Sequence, residues 1–489
     1  MQNKKVFRMI TGIFVFVLLC GCGAKTEVKE PIKLDDSYKK YIFDTTTQFQ
    51  MVEGFGAAYT WYADWLLRCD DQEGAFDALF TDAKMTILRF KNEYEYYSED
   101  KADNAGTMLA YYNAAVENAD KYGEKPIVLM SCWSPPAILK TNNDITGGAS
   151  LRRDEAGNYD YEAYAAWWVE SIQYYRAYGI NIDYLCIQNE VDYAADYDGC
   201  RFDMQETQDC ASFAKAYLAV YEAMQEAFGE EAPQMLGPET MSCKSGDIAQ
   251  YMKEIIENAP DSIYGIAHHL YVGGEGDGEN NTVDADSFIT NLMNIYNYTL
   301  NTNYSRWQTE YYIGHGIDTA MLINNCMVYE EANVYLYWSG VWEDYDEGNY
   351  ESGMLMACKY DKKDWVTDTG WKLCADYYAM RHFSEFIRPG YKRIKSLTGN
   401  VDVRSSAYVN EGATDLVIVL INRSQENINY YIDNKDYVID KSQIYQSVFG
   451  ETVTSLENMY MDLGSLGEGN TITLPRDSVT TIHIIGNQK

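Results

Sequence analysis

Two glutamates, Glu190 and Glu310, stand at the ends of strand-like segments and could act together on one bond. The apolar run 184–187 has no helical period, which predicts a buried strand, and polar residues including Asn189 follow it directly. A second strand-like stretch, 304–310, ends on Glu310. Glycosidases place one carboxyl group on each side of the scissile bond, so we predict such a pair. The alternative is a solvated glutamate at each strand end, and the repeat of the pattern on a later strand argues against it.

Alternating strand and helix signals supply the scaffold that would position these groups. They recur eight times, which predicts an α/β fold, a (β/α)8 TIM barrel. The predicted strands are 54–59, 85–90, 126–132, 183–189, 235–239, 263–270, 306–310 and 333–338. Glu190 follows the fourth strand and Glu310 ends the seventh. Catalytic groups of a TIM barrel lie at this carboxyl end of the strands.

The chain changes character after about Arg388. Runs rich in β-branched residues at 416–421, 437–439 and 478–485 have no helices between them, which predicts an attached β-sandwich. The segment 39–44 is expected to add an N-terminal strand to it. The predicted division of the chain is a signal segment 1–22, a tether 23–40, a catalytic barrel 41–387 and a β-sandwich domain 388–489.

Composition and charge restrict the partners. The chain has 489 residues, of which 46% are hydrophobic and 23% are charged, as is typical of a globular protein. A net charge of −35 argues against nucleic acid as the partner. A neutral polysaccharide or oligosaccharide is compatible with that charge. The 44 tyrosines and 10 tryptophans include enough aromatic faces to stack on sugars, although most will be structural.

The N-terminus has the pattern of a bacterial lipoprotein signal. Lys4, Lys5 and Arg8 precede the apolar run 13–19, which is too short to span a bilayer. The run ends in Leu-Cys-Gly-Cys22, which resembles a lipobox with cleavage before Cys22. The resemblance implies a lipid on Cys22 that anchors the protein to the membrane surface of a bacterial cell, outside the cytoplasm. An ordinary secretory signal is the alternative.

Cysteine and histidine spacing predicts no metal site. The chain has no Cys-x-x-Cys motif and no histidine cluster, and we expect no cofactor. Cys132 and Cys186 fall in predicted strands, where a thiol behaves as a small hydrophobic group. Cys200 and Cys210 flank one loop, and whether they form a disulfide stays open.

Six ordered motifs together resemble glycoside hydrolase family 30. They are Gly54-Phe-Gly-Ala-Ala58, Ser131-Cys-Trp-Ser-Pro-Pro136, Gln188-Asn-Glu190, His269-Leu-Tyr271, Trp307-Gln-Thr-Glu310 and His382-Phe-Ser-Glu-Phe-Ile-Arg-Pro-Gly390. Each is weak alone, but all six occur in order from the first barrel strand to the sandwich. The segments that end at Tyr193, Tyr312 and Tyr391 are nearest the xylanase and glucuronoxylanase branch. The resemblance implies a retaining hydrolase built as a TIM barrel with a β-sandwich.

The resemblance makes Glu190 the general acid/base and Glu310 the nucleophile. Physical chemistry asks for the same division, because the charge on one of two close carboxyl groups raises the pKa of the other. The resemblance also gives Asn189 a hydrogen bond to the sugar 2-hydroxyl. The other predicted substrate-binding residues are Arg89, Trp133, Tyr193, Tyr271 and Trp338.

Three of these predictions rest on residue chemistry. Arg89 would be costly in the barrel mouth without a carboxylate, for which Glu310 is a candidate. Tyr271 is expected to donate to Glu310, with a packed rim tyrosine as the alternative. Trp133 and Trp338 end predicted strands and could form a sugar-stacking floor or plug the core.

One departure from the family concerns the substrate. Glucuronoxylanases carry a basic cluster shortly before the His-Phe-Ser segment, and it reads a glucuronic acid branch. Asp376 stands near that position in this chain, and a carboxylate there would repel a uronate. We therefore expect a β-1,4-xylanase without an obligate glucuronyl branch. The alternatives are another family 30 activity (glucuronoxylanase, β-glucanase, β-1,6-galactanase or glucosylceramidase-like) and a non-catalytic surface glycan-binding lipoprotein.

Overall fold

The computed structural model describes residues 37–96, 104–274, 284–343, 350–351, 353–361, 367–450 and 452–489. The signal segment 1–22, with Cys22, lies outside these residues, and so does most of the tether 23–40. Within the described ranges, no helix combines the length and the apolar character needed to cross a membrane.

Eight parallel strands close into a barrel, which confirms the predicted fold class. In chain order, barrel strands 1 to 8 are Gly54–Ala58, Ile87–Lys91, Ile127–Ser131, Tyr184–Cys186, Gln234–Ser242, Ile263–Val272, Ser305–Glu310 and Val334–Tyr337. Barrel strand 8 closes the ring on barrel strand 1, with Val334 opposite Gly54. Side chains such as Leu129, Leu236 and Trp307 fill the interior. Because these strands are buried on both faces, they appear in the sequence as apolar runs.

Helices cover the outside of the barrel. The longer ones are Ala105–Tyr122, Tyr161–Ala177, Phe213–Phe228, Ser245–Asn258, Ile289–Thr299, Gly316–Asn325 and Ala375–Ser384, and the shorter ones are Ala63–Leu66 and Gln72–Phe76. The Asp160 side chain begins the second of the longer helices, since it accepts a hydrogen bond from the Ala163 backbone N–H. The inner face of that helix buries Trp168 and Ile172 in the main apolar core.

A nine-stranded sheet forms the second domain and uses both ends of the chain. In chain order, its strands are Tyr38–Met51, Lys392–Leu397, Val403–Val409, Asp415–Asn422, Ile428–Asp433, Tyr437–Val448, Met461–Gly464, Thr471–Leu474 and Ser478–Gln488. The first of them is antiparallel to Lys392–Leu397 and parallel to Ile428–Asp433, which confirms the predicted N-terminal strand. Residues 41–51 of the predicted barrel range therefore belong to this sheet domain. A separate apolar core lies inside it.

An insertion with its own small sheet follows barrel strand 8. Its strands are Val341–Glu343, Met356–Cys358 and Trp371–Leu373, the first two parallel and the third antiparallel. A two-residue pair, Phe202–Asp203 with Ala211–Ser212, follows barrel strand 4. Neither small sheet was predicted from the sequence. The insertion places Trp342 in the wall of a pocket at the barrel mouth.

No disulfide joins any cysteines among the residues that the structure describes. Cys200 and Cys210, whose pairing the sequence leaves open, are both buried thiols. Cys132 and Cys186 are buried in or next to barrel strands and pack as small apolar groups, as predicted.

Candidate active site

The two predicted carboxylates meet at the carboxyl end of the barrel. Glu310 is the last residue of barrel strand 7, and Glu190 follows barrel strand 4. Both residues are largely buried, each with 5% of its surface exposed. A carboxylate oxygen of Glu190 lies within 4.8 Å of one of Glu310. The predicted pair is therefore formed, at a separation close to that of the carboxyl groups in retaining glycosidases.

A pocket of about 440 Å³ contains both carboxylates and is walled largely by aromatic rings. Its lining residues are Trp61, Tyr62, Trp133, Glu190, Tyr193, Tyr197, Met241, Tyr271, Glu310, Trp338 and Trp342. The predicted residues Trp133, Tyr193, Tyr271 and Trp338 thus lie in the wall. Aromatic rings with a few convergent polar groups are typical of a small-molecule or sugar site.

Arg89 is fully buried behind the pocket wall and connects the polar groups of the site. Its Nη1 donates to Oε2 of Glu310 and its Nη2 to Oδ1 of Asn189, each at 2.6 Å. Its Nε lies 3.1 Å from Oε1 of Glu239, and its guanidinium carbon lies 4.6 Å from the ring centroid of Trp133. The predicted ion pair with Glu310 is confirmed. Because Asn189 accepts through its oxygen, its amide nitrogen is left to donate, as a hydrogen bond to a sugar hydroxyl requires.

Two glutamates of this network have left-handed backbones, which is uncommon for residues other than glycine. The angle φ is 49° at Glu190 and 56° at Glu239. The backbone N–H of Glu190 donates to the carbonyl oxygen of Glu239 at 2.9 Å, which ties the two segments together. Strain of about 1–3 kcal/mol at such a residue persists only where its surroundings fix it, and such positions cluster at functional sites.

His269 lies among three carboxylates and was not among the predicted site residues. Its Nδ1 is 3.1 Å from Oε1 of Glu190, and its Nε2 is 3.8 Å from Oε2 of Glu310 and 3.9 Å from Oε1 of Glu239. Burial disfavours its charged form, but the three carboxylates outweigh burial and raise the pKa of His269 to about 9. The imidazole is therefore protonated at neutral pH, which offsets the crowding of negative charge.

The carboxyl groups of the site differ in how readily they ionise. Burial disfavours the charged form of Glu239, but Arg89 and His269 outweigh burial and lower its pKa to about 2. Burial raises the pKa of Glu310, and His269 and Arg89 oppose this rise. The charge on Glu190 adds to it. Glu239 thus stays ionised, while Glu310 keeps its proton more readily than a free glutamate does.

Two tyrosine hydroxyls contact the catalytic carboxylates. Oη of Tyr197 donates to Oε2 of Glu190 at 3.2 Å. Burial raises the pKa of Tyr271 well above its ordinary value, and the charge of Glu310 and a hydrogen bond to it add to that rise. This rise in pKa is in line with the predicted hydrogen bond from Tyr271 to Glu310, because a hydroxyl that keeps its proton can donate it.

Rules already applied to the sequence could have found two missed residues. Residues two apart on a strand share a face, so the choice of Tyr271 implied His269 and excluded His268. The predicted strand 235–239 ended on Glu239, the same feature that singled out Glu310. The other missed lining residues are Trp61, Tyr62, Tyr197, Met241 and Trp342. They lie beyond the predicted strands, where spacing carries no comparable signal.

Asp376 does not face the pocket, so the role predicted for it is wrong. The residue is fully buried, and its Oδ1 accepts a hydrogen bond from Oγ1 of Thr319 at 2.5 Å. Burial raises the pKa of Asp376 to about 6. The basic residues of the same stretch are also engaged elsewhere, since Arg381 pairs with Glu385 at 2.8 Å and Lys372 is buried. The position of Asp376 in the sequence predicted the segment in which it lies, but not that its side of the helix faces the core.

A cation is a second possible occupant of the site by geometry alone. Ligand atoms of Glu190, His269 and Glu310 all lie within 4.8 Å of one another. Arg89 already neutralises Glu310, however, and the raised pKa of His269 keeps its imidazole charged. These two positive charges would repel a divalent ion, so the arrangement favours acid–base chemistry.

Comparison with known proteins identifies the barrel. Residues 90–285 match the model of the glycosyl hydrolase family 30 TIM-barrel domain. Glucuronoxylanase XynC of Bacillus subtilis (strain 168) is 24% identical over 468 residues, which cover 90% of this chain and 90% of that protein. Putative glucosylceramidase 1 of Caenorhabditis elegans is 21% identical over 456 residues, covering 84% and 82% of the two chains.

Solved structures share the complete two-domain fold. The catalytic domain of GH30 xylanase C from Talaromyces cellulolyticus gives a TM-score of 0.70 at 19% identity, covering 91% of this chain and 100% of that one. The GH30 subfamily 8 xylanase Xyn30A from Clostridium acetobutylicum gives a TM-score of 0.65 at 21% identity, covering 91% and 99%. The domain match and the curated relatives show that the chain carries a glycosyl hydrolase family 30 TIM-barrel domain and is a glycosidase, and the solved structures show the shared fold.

Proposed function

We propose that this glycosidase is a retaining endo-β-1,4-xylanase that does not require a glucuronyl branch. The observation that carries the proposal is the approach of the Glu190 and Glu310 oxygens to within 4.8 Å. An inverting enzyme needs a wider gap, because a water molecule must fit between the carboxylate and the sugar. At the observed spacing, a carboxylate attacks the sugar directly.

The groups of the site divide the reaction into two steps. Glu310 attacks the anomeric carbon while Glu190 protonates the leaving oxygen. Arg89 and Tyr271 hold Glu310 in position, and Asn189 donates to the sugar 2-hydroxyl, a hydrogen bond that strengthens in the transition state. After its proton has gone to the leaving oxygen, Glu190 acts as the base that activates the water, and this water releases the sugar from Glu310.

The pocket suits a neutral sugar. Among the described residues, its lining includes aromatic rings and two glutamates but no lysine or arginine. Lys91 lies behind the Trp61 ring, 4.3 Å from its centroid, and is paired with Asp198. A uronate in the pocket would therefore meet negative charge without a cation to bind it. The relatives and structures named as xylanases support xylan as the backbone.

Hydrolysis of a polysaccharide panel tests this proposal. We expect linear xylo-oligosaccharides and arabinoxylan to be cut at least as fast as glucuronoxylan, with retained anomeric configuration by NMR. Products of glucuronoxylan that each carry one uronate at a fixed position would refute the independence from the branch. The panel includes glucosylceramide because of the glucosylceramidase relative, as well as β-glucan and galactan. Cleavage of one of these in place of xylan would replace the proposed substrate, and Glu310→Gln controls for contaminating activity.

We also propose that the enzyme is held at the outer face of a bacterial membrane by lipid on Cys22. The support is the lipobox-like segment that ends at Cys22. In cells fed labelled palmitate, the parent protein should carry label and sediment with membranes. Cys22→Ser should do neither, and an unchanged distribution would refute the anchor.

A further inference from the structure

A line of aromatic rings leaves the pocket and continues across its rim. Within the pocket, the ring centroids of Trp338 and Trp342 are 5.8 Å apart, and Tyr62 lies 4.8 Å from Trp342. Beyond the pocket, Trp65 lies 5.2 Å from Tyr62, and Tyr360 lies 5.0 Å from Trp65. We call Trp342, Tyr62, Trp65 and Tyr360 the aromatic track. Each step along the track is an edge-to-face contact, so the rings form a connected row with faces turned in different directions.

Two separate segments build the aromatic track. Tyr62 and Trp65 lie at the short helix after barrel strand 1. Trp342 and Tyr360 belong to the insertion after barrel strand 8. Tyr360, at the outer end, is 38% exposed, and the other three rings are half-buried. The track is therefore a row of rings that is partly accessible along its length and most exposed at its outer end.

The cation beside the outer end of the aromatic track is already paired with a carboxylate. The Arg68 guanidinium carbon lies 5.1 Å from the Tyr360 ring centroid, but Arg68 is paired with Asp64. The cation is thus already neutralised by its own neighbour. Aromatic faces beside a neutralised ion pair fit an uncharged sugar better than a uronate.

The position of the aromatic track assigns it to one side of the scissile bond. Glu190 protonates the leaving oxygen, so the leaving sugar lies on the side of Glu190. In the closed barrel, barrel strand 8 is opposite barrel strand 4, which Glu190 follows. The track begins at barrel strands 8 and 1, and barrel strand 8 is the neighbour of barrel strand 7, which ends on Glu310. The track therefore lies on the glycone side, away from the leaving sugar.

We propose that Trp65 and Tyr360 form a distal subsite for a neutral pyranose of the substrate backbone, on the glycone side of the cleaved bond. This inference rests on the proposed xylanase function and adds to it a dependence on chain length. Sugars held in the pocket reach Tyr62 and Trp342, and the next sugar along the chain stacks on Trp65 and Tyr360. A longer glycone should therefore react faster until the aromatic track is filled.

Aryl β-xylosides with successively longer xylose chains test the subsite, because only the glycone grows in this series. For the parent enzyme, kcat/KM should rise by about three- to tenfold when the glycone reaches the track. Trp65→Ala and Tyr360→Ala should lose that rise and retain the parent rate on the shortest cleaved substrate. Trp65→Phe should keep it, since a ring remains. Tyr178→Ala is the matched control, because Tyr178 is 43% exposed and follows the end of the helix Tyr161–Ala177, on the opposite face of the barrel.

The outcomes separate the subsite from the proposed substrate. If no aryl xyloside is cleaved by the parent, xylan is the wrong substrate, and the same length series in the sugar that is cleaved decides the subsite. If xylosides are cleaved and both alanine variants keep the rise, the distal subsite is refuted. Equal losses on short and long substrates would also refute it, since they would place both residues in support of the pocket. Thermal melting identifies any loss of fold, and Tyr360→Ala, at the exposed end of the track, should melt like the parent.

Discussion

Arg89 fixes the arrangement of the site, because its guanidinium contacts three polar groups at once. It contacts Glu310, the amide oxygen of Asn189 and the buried carboxylate of Glu239. Removing one partner of a buried ion pair leaves an uncompensated charge, which costs about 3–5 kcal/mol. The catalytic carboxylates therefore lie in an electrostatic frame that exists before substrate binds.

At the scale of single residues, replacing Glu310 and replacing Glu190 should impair catalysis in different ways. Glu310→Ala should abolish turnover on every substrate, because the covalent intermediate cannot form. Glu190→Ala should slow xylo-oligosaccharides by about 10²- to 10⁴-fold, since their leaving groups need a proton. An aryl xyloside with a good leaving group should still glycosylate Glu310 and accumulate the intermediate, which intact-protein mass spectrometry detects. Equal losses on both substrates would show that Glu190 is not the acid.

Sequence reasoning found the residues that follow a periodic rule and misplaced one that depends on packing. Glu190 and Glu310 end buried strands, so the change from apolar to polar residues marked them. His269 was missed although the inward side of its strand was already known from Tyr271. Asp376 was placed near the substrate, yet its helix turns it into the core. Which side of a helix faces the core there depends on contacts with the rest of the chain, and local spacing does not contain them.

At the scale of elements, a buried lysine holds the segments of the pocket wall in place. Lys91, at the end of barrel strand 2, has only 2% of its side chain exposed. It pairs with Asp198, next to the lining residue Tyr197, and with Glu93 at 3.1 Å. It also lies against the Trp61 ring, which lines the pocket. The charged amine of Lys91 thus connects three segments, which follow barrel strands 1, 2 and 4.

Lys91→Met should therefore loosen the pocket as well as lower stability. Removing the cation leaves two carboxylates, Glu93 and Asp198, without their partner, so the free energy of unfolding should fall by about 3–5 kcal/mol. KM for xylo-oligosaccharides should rise because Trp61 loses its support. Urea unfolding and steady-state kinetics measure the two effects.

The matched control for this change is an ion pair at the surface. Lys125 pairs with Asp183 at 2.8 Å, but 65% of the lysine side chain is exposed. Lys125→Met should change the free energy of unfolding by less than about 1 kcal/mol and leave KM unchanged. If the two variants behave alike, Lys91 has no special role in the pocket.

The strands were easier to predict than the segments between them. All eight barrel strands are within a few residues of their predicted positions, since burial on both faces makes several of them short apolar runs. The insertion strands Val341–Glu343, Met356–Cys358 and Trp371–Leu373 were missed. Each is too short for a period to emerge, and their pairing joins parts of the chain that are separated by loops.

At the scale of the whole molecule, buried polar contacts dock the barrel on the sheet domain. His382, on the last helix, contacts Oγ1 of Thr481 through Nδ1 at 2.9 Å and Oγ of Ser447 through Nε2 at 2.8 Å. Arg393 of the sheet domain pairs with Glu331 of the barrel at 2.9 Å. A neutral imidazole has one donor and one acceptor, and both hydroxyls can serve either role. Because the hydroxyls could also accept from a charged ring, it is burial and the nearby charge of Arg381 that disfavour the charged form of His382.

The docking should weaken in acid. Burial, together with the charge of Arg381, lowers the pKa of His382 from 6.5 to about 3. Between those values, the unfolded chain binds a proton that the folded chain does not, so this stabilisation is full above pH 6.5 and is lost as the pH falls towards 3. Between about pH 6.5 and about pH 4, the loss of folding stability amounts to about 3 kcal/mol.

His382→Gln removes the titrating group and keeps a donor and an acceptor. The free energy of unfolding of this variant should therefore fall less in acid than that of the parent. Over the same pH range, the two losses should differ by about 3 kcal/mol. Urea unfolding at a series of pH values measures both slopes. Parallel slopes would mean that His382 does not control the acid sensitivity of the interface.

The strand Tyr38–Met51 has a consequence for how the protein is made. It leaves the ribosome before the barrel, yet its two neighbours in the sheet, Lys392–Leu397 and Ile428–Asp433, leave after the barrel. The strand therefore has no sheet partner during synthesis of the barrel, which lies between the strand and its partners in the chain. A message cut short before residue 392 would yield a barrel that still carries an open strand edge, and such edges pair with other chains. Incomplete synthesis should therefore favour aggregation until residues 392–433, which supply both partner strands, have been made.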